Sequence, residues 1–353
     1  MSKTLPAPAA YVPYHDIGDE PHIVVDGKDK DSTLLTLSHW PWNRTPESLR
    51  RDTSTHIALA YLEDEAAHLE AGIVSNSHYD EDGLLSMFAL TNPELAWQHR
   101  DLLIRTSYAS DFWRCEDEDA AKLSFVLAAW TDPETSPLPA DIYERPLRQK
   151  IIAEYSQMLE ALPGILEDPY KDESFWIDEF MFWQDSIELI KSGQVTLEED
   201  EALDLVVVRV PGDVPLRHVR RYLENWQLPV HPFAVTARSN RSRIVWLHGN
   251  SFSFQYRYES WVQVVSFRPL PRVDLAPLAE ELTKVDSAEW VFDGVHEVIG
   301  GLYVKEQTGA HGQSTLSPDD CLQRLRDFLC TAPVAWDPYG DPPEDTSTGK
   351  GDE

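Results

Sequence analysis

No run approaching eighteen consecutive apolar residues occurs in this 353-residue chain, so the sequence offers no candidate for a membrane-spanning helix. The first twenty residues lack the basic start and apolar core of a secretory signal. Cysteine is scarce. Cys115, Cys321 and Cys330 are odd in number, widely spaced and form no Cys-x-x-Cys pair, which argues against a disulfide framework and a zinc ribbon. A reducing, cytoplasmic setting is the expectation. Also missing are a Gly-x-Gly-x-x-Gly fingerprint, a P-loop and a Ser or Cys nucleophile on a recognisable elbow, so dehydrogenase and kinase readings have little support.

Positive charge is the other shortage. Thirty Lys and Arg face 61 Asp and Glu, for a formal charge of −31. Such a chain repels long nucleic acid and anionic membranes unless it carries a local basic face. One segment does. Between Arg209 and Arg272 there are ten arginines, three acids and no lysine. An all-arginine set suits bidentate binding of phosphate or carboxylate, because the guanidinium fork matches two oxygens where an ammonium offers a point charge. Pairing with the acidic remainder across an interface is the structural alternative.

Residues 21–131 alternate short strands, near 22–26, 34–38 and 72–76, with helices near 54–63, 83–90, 93–108 and 118–130. That alternation predicts an α/β layer with ligands at the carboxyl ends of the strands. Only about seven residues join the first two strands, which predicts a hairpin there. A proline-rich stretch and a helical hairpin follow over 132–202, expected to pack on the first layer. Over 203–332 the pattern predicts a smaller, arginine-rich α+β domain with a mostly antiparallel sheet, its strands including 229–236 and 261–267. Residues 1–20 read as a flexible arm and 333–353 as a disordered acidic tail.

Chemistry concentrates in one run, Ile73-Val74-Ser75-Asn76-Ser77-His78-Tyr79-Asp80-Glu81-Asp82-Gly83. A strand enters a polar turn and an apolar helix leaves it. One imidazole and two carboxylates at alternate positions suit Mn²⁺, Mg²⁺ or a catalytic Zn²⁺, and Gly83 permits a tight turn around an ion. The bland alternative is a solvated turn whose carboxylates cap the next helix. A calcium loop fails on spacing, since Ala89 stands where the bidentate Glu is needed.

This run resembles the first motif of the DHH family of metal-dependent phosphoesterases, a strand followed by His-x-Asp-x-Asp-Gly and a helix with a small residue near its start, here Ser86. Leu34 to Trp40, a strand ending in His39, is similar to the strand and Asp-His-His of the third motif. The triplet here is Ser38-His39-Trp40, so one His of the pair is replaced. Thr53-Ser54-Thr55 looks like the family's downstream Ser-Ser-Thr. A strand ending at Asp26 is similar to the second motif and Asp111 to the fourth. The order is permuted, the second and third motifs preceding the first. Residues 266–279 faintly resemble the family's substrate-binding domain, without its Gly-Gly-His loop. The Ser-His-Trp-Pro and Asp-x-Asp-Gly segments are also similar to an uncharacterised bacterial domain family.

The DHH resemblance implies a metal centre built from His78, Asp80, Asp82, Asp111, His39 and Asp26. It further implies a phosphoesterase-like hydrolase acting on a small phosphorylated or nucleotide-like substrate, or a short oligonucleotide. Mn²⁺ is the expected cofactor, with Mg²⁺ or Zn²⁺ as alternatives. Arg268, Arg272, Arg238, Arg241 and Arg243 are the expected phosphate-binding residues. The competing expectation is an inactive relative that uses the same cleft to bind a ligand or partner.

Overall fold

In the computed structural model, which describes residues 4–115, 117–221, 224–305 and 314–341, two sheets of different character share one large apolar core. The first is parallel throughout, with β1 (Ala10–Tyr11), β2 (His22–Val25), β3 (Thr33–Leu37) and β4 (Ile73–Ser75) ordered β1-β4-β2-β3. All four residues of β2 are buried. Covering helices account for that: α1 (Ser54–Glu63), α2 (Glu81–Thr91), α3 (Pro93–Gln98), α4 (Arg100–Phe112) and α5 (Glu118–Thr131) supply most of the surrounding core.

The expected hairpin between β2 and β3 is not formed, and the two strands run parallel. β2 is only four residues long, so the chain retraces about 13 Å, well within the roughly 23 Å that the seven intervening residues can span. No crossover helix is needed. Short strands therefore relax the usual length rule, and they put both carboxyl ends on the same edge. The flexible arm is also corrected: Ala10 and Tyr11 pair with Ile73 and Val74, and Ala9 and Ile17 are buried.

Two long helices, α6 (Leu147–Glu167) and α7 (Ile177–Lys191), form the expected helical pair, and Tyr155, Met158, Leu162, Phe182 and Trp183 join the main core. Beyond them lies a six-stranded mixed sheet of β5 (Thr196–Asp200), β6 (Leu205–Val210), β9 (Arg243–His248), β10 (Ser251–Tyr256), β12 (Trp290–Phe292) and β13 (Gly301–Val304). Its pairs are antiparallel except β6 with β9. Along β6, Val206, Val208 and Val210 face the main core while Leu205 and Val207 face a second one. A central strand apolar on both faces thus links the two halves, and residue 203 is no boundary between cores.

The second core is closed by α9 (Ala276–Val285) and α10 (Pro318–Thr331). A separate ribbon pairs β7 (Arg217–Arg221) with β8 (Glu224–Leu228). The strand expected over 229–236 is instead a loop and the short helix α8 (Pro232–Thr236), begun by Pro232 at its first position. Residues 261–267 form no strand. They run irregularly after a single helical turn at Tyr258–Ser260. Nor is the acidic tail unstructured where it is described: β14 (Val334–Trp336) pairs with β11 (Arg272–Val273), and the Tyr339 hydroxyl donates to Val264 O at 2.8 Å. Residues 342–353 lie outside the described residues. Among the described residues, no helix is long and apolar enough to cross a membrane.

Candidate metal centre

Three parallel strands deliver the chemistry to one place. β2 leads directly into Asp26, β3 leads through Ser38 into His39, and β4 leads through Asn76 into the turn carrying His78, Asp80 and Asp82. β2 lies between the other two, so Asp26 stands between the two histidines. Asp26 takes φ of +44°, a left-handed conformation that few residues with a side chain adopt and that clusters at functional sites. The sixth residue, Asp111, arrives from the last turn of α4.

His78 Nε2 lies 3.2 Å from both Asp26 Oδ2 and Asp80 Oδ2. His39 Nε2 lies 3.4 Å from Asp26 Oδ1, 3.7 Å from Asp111 Oδ2 and 3.9 Å from Asp82 Oδ2. Two donor sets result, Asp26–His78–Asp80 and Asp26–His39–Asp82, each with its atoms within 4.8 Å of one another. Asp26 belongs to both. Ligands about 2.1 Å from a common cation sit roughly 3–4 Å apart, so these groups could hold a metal. Asp111 Oδ2 and His78 Nδ1 are buried with no hydrogen-bond partner, and Asp26 Oδ2 is buried against the His78 ring. Buried carboxylate oxygens are seldom left so, and a cation is the partner that would satisfy several at once.

Supporting bonds hold these side chains from behind. The backbone amides of Ser54 and Thr55 donate to Asp82 Oδ2 and Oδ1 at 2.7 and 2.8 Å, placing that carboxylate at the positive end of α1. Ser54 Oγ donates to Asp26 Oδ1 at 2.8 Å. Asp80 caps α2, accepting from Gly83 N at 2.7 Å. Helix capping and the placement of these carboxylates are thus the same geometry here. His39 Nδ1 donates to Asp52 O at 2.6 Å, which turns Nε2 toward the carboxylates. Gly83 is required by its surroundings: a β-carbon there would stand 2.7 Å from Asn76 Nδ2 and from the Tyr155 hydroxyl, and 3.1 Å from Asp26 Oδ2.

Asp26, His39, Asp82 and Asp111 are buried, whereas the side chains of His78 and Asp80 are 27% and 24% exposed. Solvent therefore meets the centre on the His78–Asp80 side. Burial, reinforced by Asp80, lifts Asp26 to about 6 against the pull of His78, and lifts Asp82 to about 7. Asp111 is raised well above the carboxylate range by burial and by Asp82, Asp80 and Asp26. Burial disfavours the charged forms of His78 and Asp80, yet their mutual attraction prevails, taking His78 to about 10 and Asp80 down to about 2. Burial lowers His39, keeping its imidazole neutral. Crowded acids that hold protons in the absence of a cation are a strong cation trap once those protons leave.

Five of the six expected residues fall into the two donor sets and Asp111 lies beside them at His39, while the expected phosphate-binding arginines do not join them. Arg272 is fully buried and donates to Ser260 Oγ and to the carbonyls of Arg257, Val295, Glu297 and Val298. Arg243 donates to the carbonyls of Leu203 and Pro271, Arg241 pairs with Glu199 and Glu201, and Arg268 pairs with Asp337. Arg238 is exposed and donates to Ala234 O. The arginine that does reach the centre's edge is Arg221, whose guanidinium donates to Ser110 O at 2.6 Å and to Asp111 O at 3.2 Å.

Sequence reasoning also missed Tyr258, whose hydroxyl lies 3.3 Å from His39 Nε2, and Tyr155, which donates no motif but bonds Asn76 at 2.9 Å. Tyr155 reads as part of a helically spaced apolar stripe and Tyr258 as part of the alternating aromatic run from Phe252, and neither pattern points to the centre. Trp40 packs against His78 with ring centroids 4.8 Å apart.

A family model matches residues 7–340. The chain belongs to DUF6687, a family of unknown function. The DUF6687 match takes in every residue of the centre, from Asp26 to Asp111, together with Tyr155, Arg221 and Tyr258. No curated protein and no solved structure matches the chain.

Proposed function

We propose that this protein is a metal-dependent hydrolase that cleaves a phosphoester bond in a small phosphorylated or nucleotide-like substrate. The observation that carries the reading is the pair of His–Asp donor sets sharing Asp26 at the carboxyl edge of a parallel sheet. The permuted DHH-like motifs support it too, since the strands bearing Asp26, His39 and His78 are spatial neighbours whatever their order in the chain. Hard oxygen and imidazole donors favour Mn²⁺, with Mg²⁺ or Zn²⁺ as alternatives. When bound, such cations supply Lewis acidity and neutralise charge that develops on phosphoryl oxygens.

The protein's own part is placement. The α1 amides and the Ser54 hydroxyl fix Asp82 and Asp26, and Asp52 O fixes the His39 ring. A substrate would approach the His78–Asp80 side, where the centre meets solvent. A small ligand reconciles phosphate chemistry with a chain of charge −31, which would repel a long polyanion.

Trp40 favours a second reading. It occupies the place of the DHH family's second His and packs on His78, which suits an inactive relative that binds a ligand or partner. Metal content and turnover separate the two. Purified protein loaded with Mn²⁺ should hydrolyse a simple phosphodiester such as bis(p-nitrophenyl) phosphate or a nucleoside phosphate, and Asp80→Asn and His39→Ala should abolish the rate. Stoichiometric Mn²⁺ without turnover on any of these would favour the binding protein, and failure to bind Mn²⁺, Mg²⁺ or Zn²⁺ would overturn the hydrolase.

A further inference from the structure

Behind the metal centre, on the far side of Asp52 and Tyr108, lies a cavity of about 590 Å³ that the hydrolase reading does not use. Its walls come from α4, the start of α5, the Thr236–Asn240 turn and Ser266. Three arginines line it, Arg105, Arg114 and Arg238. In a chain with twice as many acids as bases, each would be expected to find a carboxylate. Arg105 Nε does lie 3.6 Å from Asp117 Oδ1. Arg114 instead lies over the Phe267 ring at 5.3 Å, Arg238 donates only to Ala234 O, and neither has an ion pair among the described residues.

The cavity's own acids, Asp52 and Asp117, form no ion pair with Arg114 or Arg238 among the described residues. Asp52 Oδ1 accepts from the backbone amides of Val265 and Ser266 at 2.7 and 2.9 Å. Asp117 caps α5, accepting from Ala120 N at 2.8 Å. A further polar group is left over, for His56 Nδ1 on the same wall is buried without a hydrogen-bond partner. Unpaired guanidinium groups and an unsatisfied ring nitrogen around a cavity form a receptor for an anion with several acceptor oxygens. Cavities of about 300–1,000 Å³ hold small organic ligands, so the volume exceeds what a bare inorganic ion needs.

We propose that this cavity is a second anion site, separate from the metal centre, that binds a phosphomonoester of nucleotide size through Arg114 and Arg238. The wall it shares with the centre includes Asp52, whose backbone carbonyl orients His39. The test is calorimetric titration of the full-length, EDTA-treated protein with adenosine 5′-monophosphate, adenosine and inorganic phosphate. Working without metal makes the result independent of whether the hydrolase reading holds.

Adenosine monophosphate should bind, adenosine should not, and phosphate should bind more weakly. Arg238→Gln, at an exposed position, and Arg114→Gln should each weaken the nucleotide by about tenfold or more, the loss expected for one charge-assisted bond. Both variants should melt as cooperatively as the wild type and take up Mn²⁺ equally well. No binding of adenosine monophosphate by the wild type, equal binding of adenosine, or unchanged affinity in both variants would overturn the site.

Discussion

His39 donates its Nδ1 proton to the backbone carbonyl of Asp52 across 2.6 Å, and that bond decides which nitrogen faces Asp26. A carbonyl oxygen only accepts, so Nδ1 carries the proton and Nε2 presents a lone pair to the carboxylates. Burial keeps the ring neutral, as a metal ligand must be. His39 belongs to one donor set while Asp26 belongs to both. Removing them should therefore have unequal effects. Elemental analysis after loading with Mn²⁺ should give about half the wild-type content for His39→Ala and a near-complete loss for Asp26→Asn, the size of effect expected when a ligand rather than a supporting group is lost. Equal metal content in the two variants would remove the shared role of Asp26.

The acids of the centre make a pH prediction whose sign can be worked out. A carboxyl whose folded pKa is raised stabilises the fold at low pH, and that contribution is lost as pH climbs through the raised value. Asp26, lifted to about 6, and Asp82 and Glu81, each lifted to about 7 by burial and by Asp80, all lose theirs between about pH 4 and 7. Asp111 adds to the same trend. His78, raised to about 10, loses its share above about 6.5. Asp80 is already ionised across this range, and against the trend His39, His56 and His231, whose pKa values are lowered by burial, gain as pH rises toward 6.5. Metal-free protein should then melt lower at pH 8 than at pH 5, by roughly 5 °C or more. Added Mn²⁺ should raise the melting temperature more at pH 8, where protons no longer compete for the ligands. A metal-free melting temperature that rises over this window would contradict the assigned protonation.

Gly83→Ala probes how tightly the turn is built. The new methyl would stand 2.7 Å from two polar atoms that are bonded to each other, Asn76 Nδ2 and the Tyr155 hydroxyl, and 3.1 Å from Asp26 Oδ2. These neighbours come from β4's exit, α6 and β2's exit, so relief requires movement of several elements. Urea denaturation should show a loss of about 1–3 kcal/mol, with weakened Mn²⁺ uptake. A substitution neutral in both measurements would mean that the turn is looser than its packing implies.

What could be read from the sequence followed the range of its patterns. His78, Asp80 and Asp82 share one turn, and a strand–turn–helix pattern places them without any long-range information. His39 and Asp26 could be named because each ends a strand, but their meeting required β2 and β3 to be parallel, which strand length rather than loop length decided. The arginines show the opposite failure. Composition counted ten cations in one segment but says nothing of which carbonyls they would meet, and several are spent holding loops together. Tyr155 and Tyr258 reach the centre from α6 and from the turn after β10, and no local spacing marks them as part of it.

Arg272 and Arg268 put that distinction to a direct test. Arg272 is fully buried, and its guanidinium satisfies one hydroxyl and four backbone carbonyls that tie the 295–298 loop to the turn at Arg257–Ser260. Lysine carries the same charge but only three donors on a single point, so at least two of those five buried charge-assisted bonds would be lost, each worth about 1–3 kcal/mol. Arg272→Lys should accordingly lower unfolding stability by about 2–4 kcal/mol while leaving Mn²⁺ stoichiometry unchanged. Arg268 is 63% exposed and makes one ion pair, with Asp337, so Arg268→Lys should change stability by less than about 1 kcal/mol. Urea midpoints for the two variants decide the matter: if Arg272→Lys unfolds at the same midpoint as Arg268→Lys, Arg272 is not the brace for these loops that its hydrogen bonds indicate.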